Sequence, residues 1–359
     1  MQGADTIHRP LIIVVAMLSL SAVSPLGFAS TPQNPCEDSK PYDAQFTDAD
    51  GNLDATRTIN GYFSNRACAE MMDTGFGVNL PQAGMDVTND GTYGNAAELS
   101  QFMPLLENFA DTDLCAVNVR WHIGTEHRSE GQYDENGSGP HEYEGHGVDG
   151  SRRRRKLAEG EARQGMLCHH YEETDSKFTT AYDWEHCHGM EVGQTYEIHW
   201  THSAAGSCGT AWQMQTPFYD GVFCTPGVIS LGDNPPFNVH EKIGVQGQVF
   251  TVVNDDSGAY DNLDLMYAAW QDDTHWVDVA KYIGSTTGTT RDNEVCSMYS
   301  PITWQVDRTC HLISAASFDH LCSLMKENGG DDLSADTHPH GSRELVDDAL
   351  SSSVVYRKK

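Results

Sequence analysis

No Cys-x-x-Cys pair occurs in the 359 residues, which argues against a thiolate zinc site of the finger or ribbon type. No His-Glu-x-x-His motif is present either, so a zinc hydrolase built on that motif has no support. The chain shows no Pro/Ser linker, no internal repeat and no heptad run. Positive charge is scarce, with 22 Lys and Arg against 52 Asp and Glu and a net charge of -30. A surface this acidic disfavours nucleic acid and anionic membranes as partners. It suits a salty exterior, where screening shortens self-repulsion. Beyond residue 30 no segment is apolar enough for a membrane helix, so no stable membrane association is expected once the leader is removed.

What is present begins with an address. Residues 1–29 read as a signal peptide: Arg9 gives a modest basic start, residues 11–23 an apolar stretch, and Gly27 and Ala29 the small residues of a cleavage site. A secreted or extracellular protein, exported through the secretory pathway, is therefore expected. All ten cysteines lie beyond that leader. Their even number in an exported chain favours disulfides over free thiols, in a pairing that spacing does not reveal.

The mature part, residues 30–350 with a tail at 351–359, is long enough for one domain with a sizeable core. From about 130 to 163 the composition turns to Gly, His, Asp and Glu, then to the basic run Arg152 to Lys156. That stretch reads as a polar loop insertion. Elsewhere, short segments rich in Val, Ile, Tyr, Trp and Thr predict strands at 115–123, 195–201, 221–223, 246–253 and 297–306. Helical spacing appears at 61–72, 96–109, 315–326 and 344–350. The expected fold is mainly β (α+β): a single β-rich domain with peripheral helices, stabilised by disulfides.

Two predicted strands concentrate histidine. Because strand side chains alternate faces, Asn118, Arg120 and His122 share one side of the first. Glu197, His199 and Thr201 share one side of the second, opposite Ile198, Trp200 and His202. If the strands are neighbours, His122 and His199 approach one metal ion. A catalytic zinc takes three protein ligands and leaves a position for water. Neutral imidazoles preserve its double charge, so bound water ionises near pH 7 and the resulting hydroxide attacks an electrophilic carbon. Glu197 is placed to accept a ligand's second N–H, and Glu126 to orient the hydroxide or an intervening hydroxyl group. A single strand histidine is more often structural than a ligand; two clusters with acidic neighbours bring the readings level.

The strings Val-Asn-Val-Arg-Trp-His-Ile-Gly-Thr-Glu-His (117–127), Tyr-Asp-Trp-Glu-His-Cys (182–187), Tyr-Glu-Ile-His-Trp-Thr-His-Ser-Ala-Ala-Gly (196–206) and Gln-Thr-Pro-Phe-Tyr-Asp-Gly-Val-Phe-Cys (215–224) resemble delta-class carbonic anhydrases. So does the tail His-Pro-His-Gly-Ser-Arg-Glu-Leu (338–345). The resemblance implies a zinc enzyme, a carbonate dehydratase converting CO2 to bicarbonate and a proton, with the metal on three histidines. The Glu-x-His of the second cluster also resembles the alpha-class metal strand, which implies His199 as ligand and Glu197 as the acceptor behind it.

One departure is plain. The family pattern His-Trp-His reads Arg120-Trp121-His122 here, and a guanidinium cannot bind zinc. The expected ligands are therefore His122, His199 and His127, which follows a turn at Gly124 and is able to fold back. His202 is the alternative, facing away from His199 unless the strand bulges. Glu126 and Glu197 are the expected catalytic carboxylates. The competing function is an impaired, carbonic anhydrase-like binding protein in which Arg120 has abolished turnover. His338 and His340, flanking Pro339 in an expected loop, read as capping or packing residues, and His169, His170, His186 and His188 as structural neighbours of cysteines.

Overall fold

The computed structural model describes residues 103–140, 164–214, 224–225, 228–229, 238–261, 278–284, 302–328 and 337–342, with the backbone of 66–67 and 295–296. The expected leader at 1–29, the strand at 221–223, the helix at 344–350 and the basic run 152–156 lie outside them.

Five strands form one sheet: β1 (Cys115–Ile123), β2 (Thr195–Ser203), β3 (Ile243–Val253), β4 (Val279–Gly284) and β5 (Ile302–Ser314). Their spatial order is β1-β2-β3-β5-β4. All neighbours are antiparallel except the parallel pair β3 and β5. The helix α1 (Ala315–Asn328) follows β5 directly. The fold is mainly β with few helices, as expected.

The two faces of the sheet differ in chemistry. Trp121, Ile123, Ile198, Trp200, Phe250 and Val252 point to one face and pack with Phe318, Leu321 and Met325 of α1. Complete burial of a side chain such as Phe318 or Leu321 stabilises by about 1.5–3 kcal/mol. The polar ends of the buried tryptophans are satisfied: Trp121 Nε1 donates to Met190 Sδ at 3.0 Å and Trp200 Nε1 to Gln248 Oε1 at 3.2 Å. The opposite face carries the alternate residues, Arg120, His122, Glu197 and His199 among them. These too are buried, and burial of polar groups demands partners.

Disulfides tie the periphery to the sheet. Cys115–Cys208 joins the start of β1 to the loop after β2, Cys168–Cys310 anchors the 167–168 strand to β5, and Cys187–Cys322 fastens the 187 loop to α1.

Several elements differ from their sequence signals. Residues 66–67, expected within a helix, instead pair as a short strand with 295–296; the partner lies more than two hundred residues away, beyond any local periodicity. The described part of the expected 96–109 helix, from residue 103, is irregular and ends in a single 3-10 turn, Phe109–Asp111. Its backbone is captured by β5: Thr303 Oγ1 accepts from Leu105 N–H, and Gln305 Nε2 donates to the carbonyls of Leu105 and Glu107. Such side-chain bonds compete directly with helix formation. Strand β5, Ile302–Ser314, runs on past Val306 through the polar Asp307 and Arg308, while residues 297–301 of the expected strand lie outside the described residues. At the start of the expected polar insertion, Tyr133–Asp134 pairs with Leu167–Cys168 and Tyr133 is fully buried; residues 141–163 lie outside the described residues.

Candidate metal centre

The register of β1 on β2 builds the centre. Arg120 lies opposite His199, and His122 opposite Glu197. Facing residues in an antiparallel pair project from the same side, so these four side chains share the face away from α1. The His122 and His199 rings are in contact, with centroids 4.3 Å apart. His199 also packs edge-on against Trp304, 5.0 Å away between centroids.

Glu197 is the hub. It is fully buried, and its Oε2 accepts the Glu126 backbone N–H at 2.7 Å. Its Oε1 lies 2.5 Å from His127 Nδ1 and 3.3 Å from His199 Nε2. The second contact is out of hydrogen-bond alignment, so His199 Nε2 is a buried nitrogen without a hydrogen-bond partner. Burial works to raise the Glu197 pKa, but His127 and His199 outweigh it and hold the carboxyl well below its ordinary range. The group at the hub is therefore an anion.

Glycine at 124 makes the return of Glu126 and His127 feasible. Gly124 has φ 71°, a conformation that L side chains rarely adopt. An added Cβ would fall 2.7 Å from the Gly165 backbone. The turn brings Glu126 against Glu197 through its backbone and against His122 through its side chain, Oε1 standing 3.5 Å from His122 Nδ1. It also places His127 between Glu197 and Tyr282, whose hydroxyl meets His127 Nε2. Both nitrogens of His127 are thus engaged. Nδ1 donates to the carboxylate, and Nε2 faces the phenol.

His122 is oriented from the far side. Its Nδ1 donates to the Gly341 carbonyl at 3.0 Å, which leaves Nε2 as the nitrogen carrying the lone pair. Burial foremost, then the neighbouring His199, His340 and Arg120, push its pKa well below the ordinary imidazole value. A neutral ring is the form able to bind a metal.

Residues 337–342 supply neighbours that local sequence did not reveal. His340 forms a parallel bridge with His122, its ring 5.7 Å from that of His122 between centroids. The family-like string 338–345 was the only signal, and nothing in it points to a partner more than two hundred residues earlier. His202 projects from the other side of β2. Its ring meets Phe109 at 5.1 Å and its Nδ1 donates to the Trp200 carbonyl.

The structure thus gathers His122, His199, Glu126, Glu197 and His127 in one region and sets His202 apart. Among the described residues, no three or more His, Cys, Asp or Glu side chains are grouped so as to hold a metal ion. The donor types nevertheless suit a borderline-soft divalent ion, offering imidazole nitrogens backed by a buried carboxylate. These features define a disulfide-bonded β-sheet protein with a histidine–carboxylate centre on one face.

The family model for delta carbonic anhydrase matches residues 111–317, more than half of the chain. The chain belongs to that family. No curated protein and no solved structure matches it.

Proposed function

We propose that the protein is a secreted, zinc-dependent carbonic anhydrase that interconverts CO2 and bicarbonate. The observation that carries this reading is the contact of His122 and His199 on adjacent strands, with the ionised Glu197 behind them. A bound zinc ion would supply Lewis acidity, letting water ionise near neutral pH.

The chain's own residues prepare for that ion. Gly341 O and Glu126 Oε1, both on the Nδ1 side of His122, turn its Nε2 outward as a donor. Glu197 Oε1 stands 3.3 Å from His199 Nε2, which sets an ionised carboxylate beside that ring. A carboxylate behind a ligand imidazole raises its basicity and fixes its orientation. Trp304 walls the site beside His199, which limits competing water. Family membership supports CO2 and bicarbonate as substrates. The disulfides support export, because such bonds persist in oxidising compartments.

A second reading rests on Arg120. It is buried, directly opposite His199 and on the same face, and its charge opposes a divalent cation there. In that reading the scaffold survives without turnover. Metal content of the purified protein, measured together with a stopped-flow CO2 hydration trace, separates the two. One zinc per chain and hydration abolished by chelation support the enzyme. Protein saturated with zinc yet no faster than buffer supports the impaired scaffold.

A further inference from the structure

We propose that His340, delivered by the docked segment 337–342, supplies the third imidazole of the metal centre in place of the position held by Arg120. This rests on the zinc reading above and names the part of the site that β1 and β2 do not complete.

The argument begins with the edge of the sheet. Strand β1 is outermost of the five in the order β1-β2-β3-β5-β4, so its outer edge has backbone groups for a further segment to pair. Segment 337–342 takes that edge. Ile123 N–H donates to the His340 carbonyl at 2.8 Å, and His340 N–H to the Trp121 carbonyl at 2.7 Å. Ser342 Oγ adds a bond to the Ile123 carbonyl at 3.1 Å. At its start, the Thr337 carbonyl accepts from His188 N–H at 2.8 Å. His340 is consequently fixed by backbone bonds that do not involve its side chain.

The bridge sets the direction of the ring. His340 pairs with His122 in parallel, and paired residues project from the same face of a sheet. His340, His122 and Glu197 therefore form one cross-strand row, with Arg120 and His199 in the next. The three imidazoles of His340, His122 and His199 lie on one face, those of His340 and His199 flanking His122 at centroid distances of 5.7 and 4.3 Å. All three residues are almost fully buried.

The other candidates are committed elsewhere. His127 spends one ring nitrogen on Glu197 and the other on Tyr282. His202 is on the α1 side of the sheet. Arg120 carries no lone pair to donate. The docked segment has a second effect on the same site, because Gly341 O fixes the tautomer of His122. One six-residue segment thus supplies a ligand and orients another.

The test is metal affinity by chelator competition, together with the visible absorption of the cobalt(II) protein, which reports ligand number and geometry. The full mature chain is used in wild-type, His199→Ala, His340→Ala, His127→Ala and Arg120→His/His340→Ala forms. Removing a ligand should weaken binding more than the roughly 10–100-fold typical of an outer partner. The proposal expects His340→Ala to lose metal as severely as His199→Ala, with a changed cobalt spectrum, while His127→Ala keeps the wild-type spectrum. The double variant, with an imidazole restored opposite His199, should recover binding, which also shows that the loss in His340→Ala is not unfolding. Wild-type affinity and spectrum in His340→Ala, with binding lost in His199→Ala, overturn the proposal and leave the zinc reading standing. Absence of binding in the wild-type chain overturns both.

Discussion

Glu197→Gln probes the buried frame without reference to metal or substrate. The carboxylate accepts from Glu126 N–H and from His127 Nδ1–H at 2.7 and 2.5 Å, in full burial. Hydrogen bonds to a charged group contribute about 1.5–3 kcal/mol each, against about 1 kcal/mol for neutral ones. Glutamine preserves the shape and one accepting oxygen, but its NH2 must then face the other donor. His127 escapes that clash only by moving its proton to Nε2 and donating to the Tyr282 hydroxyl. The variant keeps two neutral bonds in place of two charge-assisted ones, a gross loss of about 1–4 kcal/mol. Removing a buried charge offsets part of this, leaving a net loss of about 2 kcal/mol. With an unfolding entropy of about 2.1 cal/mol/K per residue over a chain of this size, that lowers the midpoint of thermal unfolding by about 3 °C. The assay is a melt of chelator-treated protein, with nitrogen NMR of the histidine rings to follow the His127 tautomer. A midpoint within about 1 °C of wild type, with the proton still on Nδ1, would refute the reasoning.

The remaining predictions concern the other side of β2 and the turn beyond β1. His202 is pushed down to about 4 by burial, against the opposing effect of its bond to the Trp200 carbonyl. The native state thus holds it neutral while the unfolded chain protonates it near its ordinary 6.5, so stability falls as pH drops from about 6.5 towards 4, by about 3 kcal/mol in all. His202→Gln should lose correspondingly less between pH 7 and 4.5 in urea unfolding, and an unchanged pH dependence would count against the assignment. Gly124→Ala should cost about 1–3 kcal/mol from its positive φ alone, with the contact on the Gly165 backbone added. A wild-type urea midpoint in that variant would show that the turn is not under this constraint.

Local pattern determined a good deal of this molecule. The alternation of Val117 to Ile123 marked β1 at its observed bounds, Cys115–Ile123, and helical spacing marked α1 from Ala315. The same two-residue period set His199 and His202 on opposite sides of β2, because a strand has no other way to place them. Tertiary structure decided what no window of sequence contains. It set Arg120 opposite His199, a matter of register between strands more than seventy residues apart. It kept residues 103–108 out of a helix beside β5, where hydrogen bonds with Thr303 and Gln305 outweigh helical spacing. It closed His127 between Glu197 and Tyr282, and it docked His340 on the edge of β1. Each of these contacts joins distant parts of the chain, and its free energy depends on partners that periodicity cannot see. Sequence fixes which face a side chain takes on its own strand; only packing decides which faces meet.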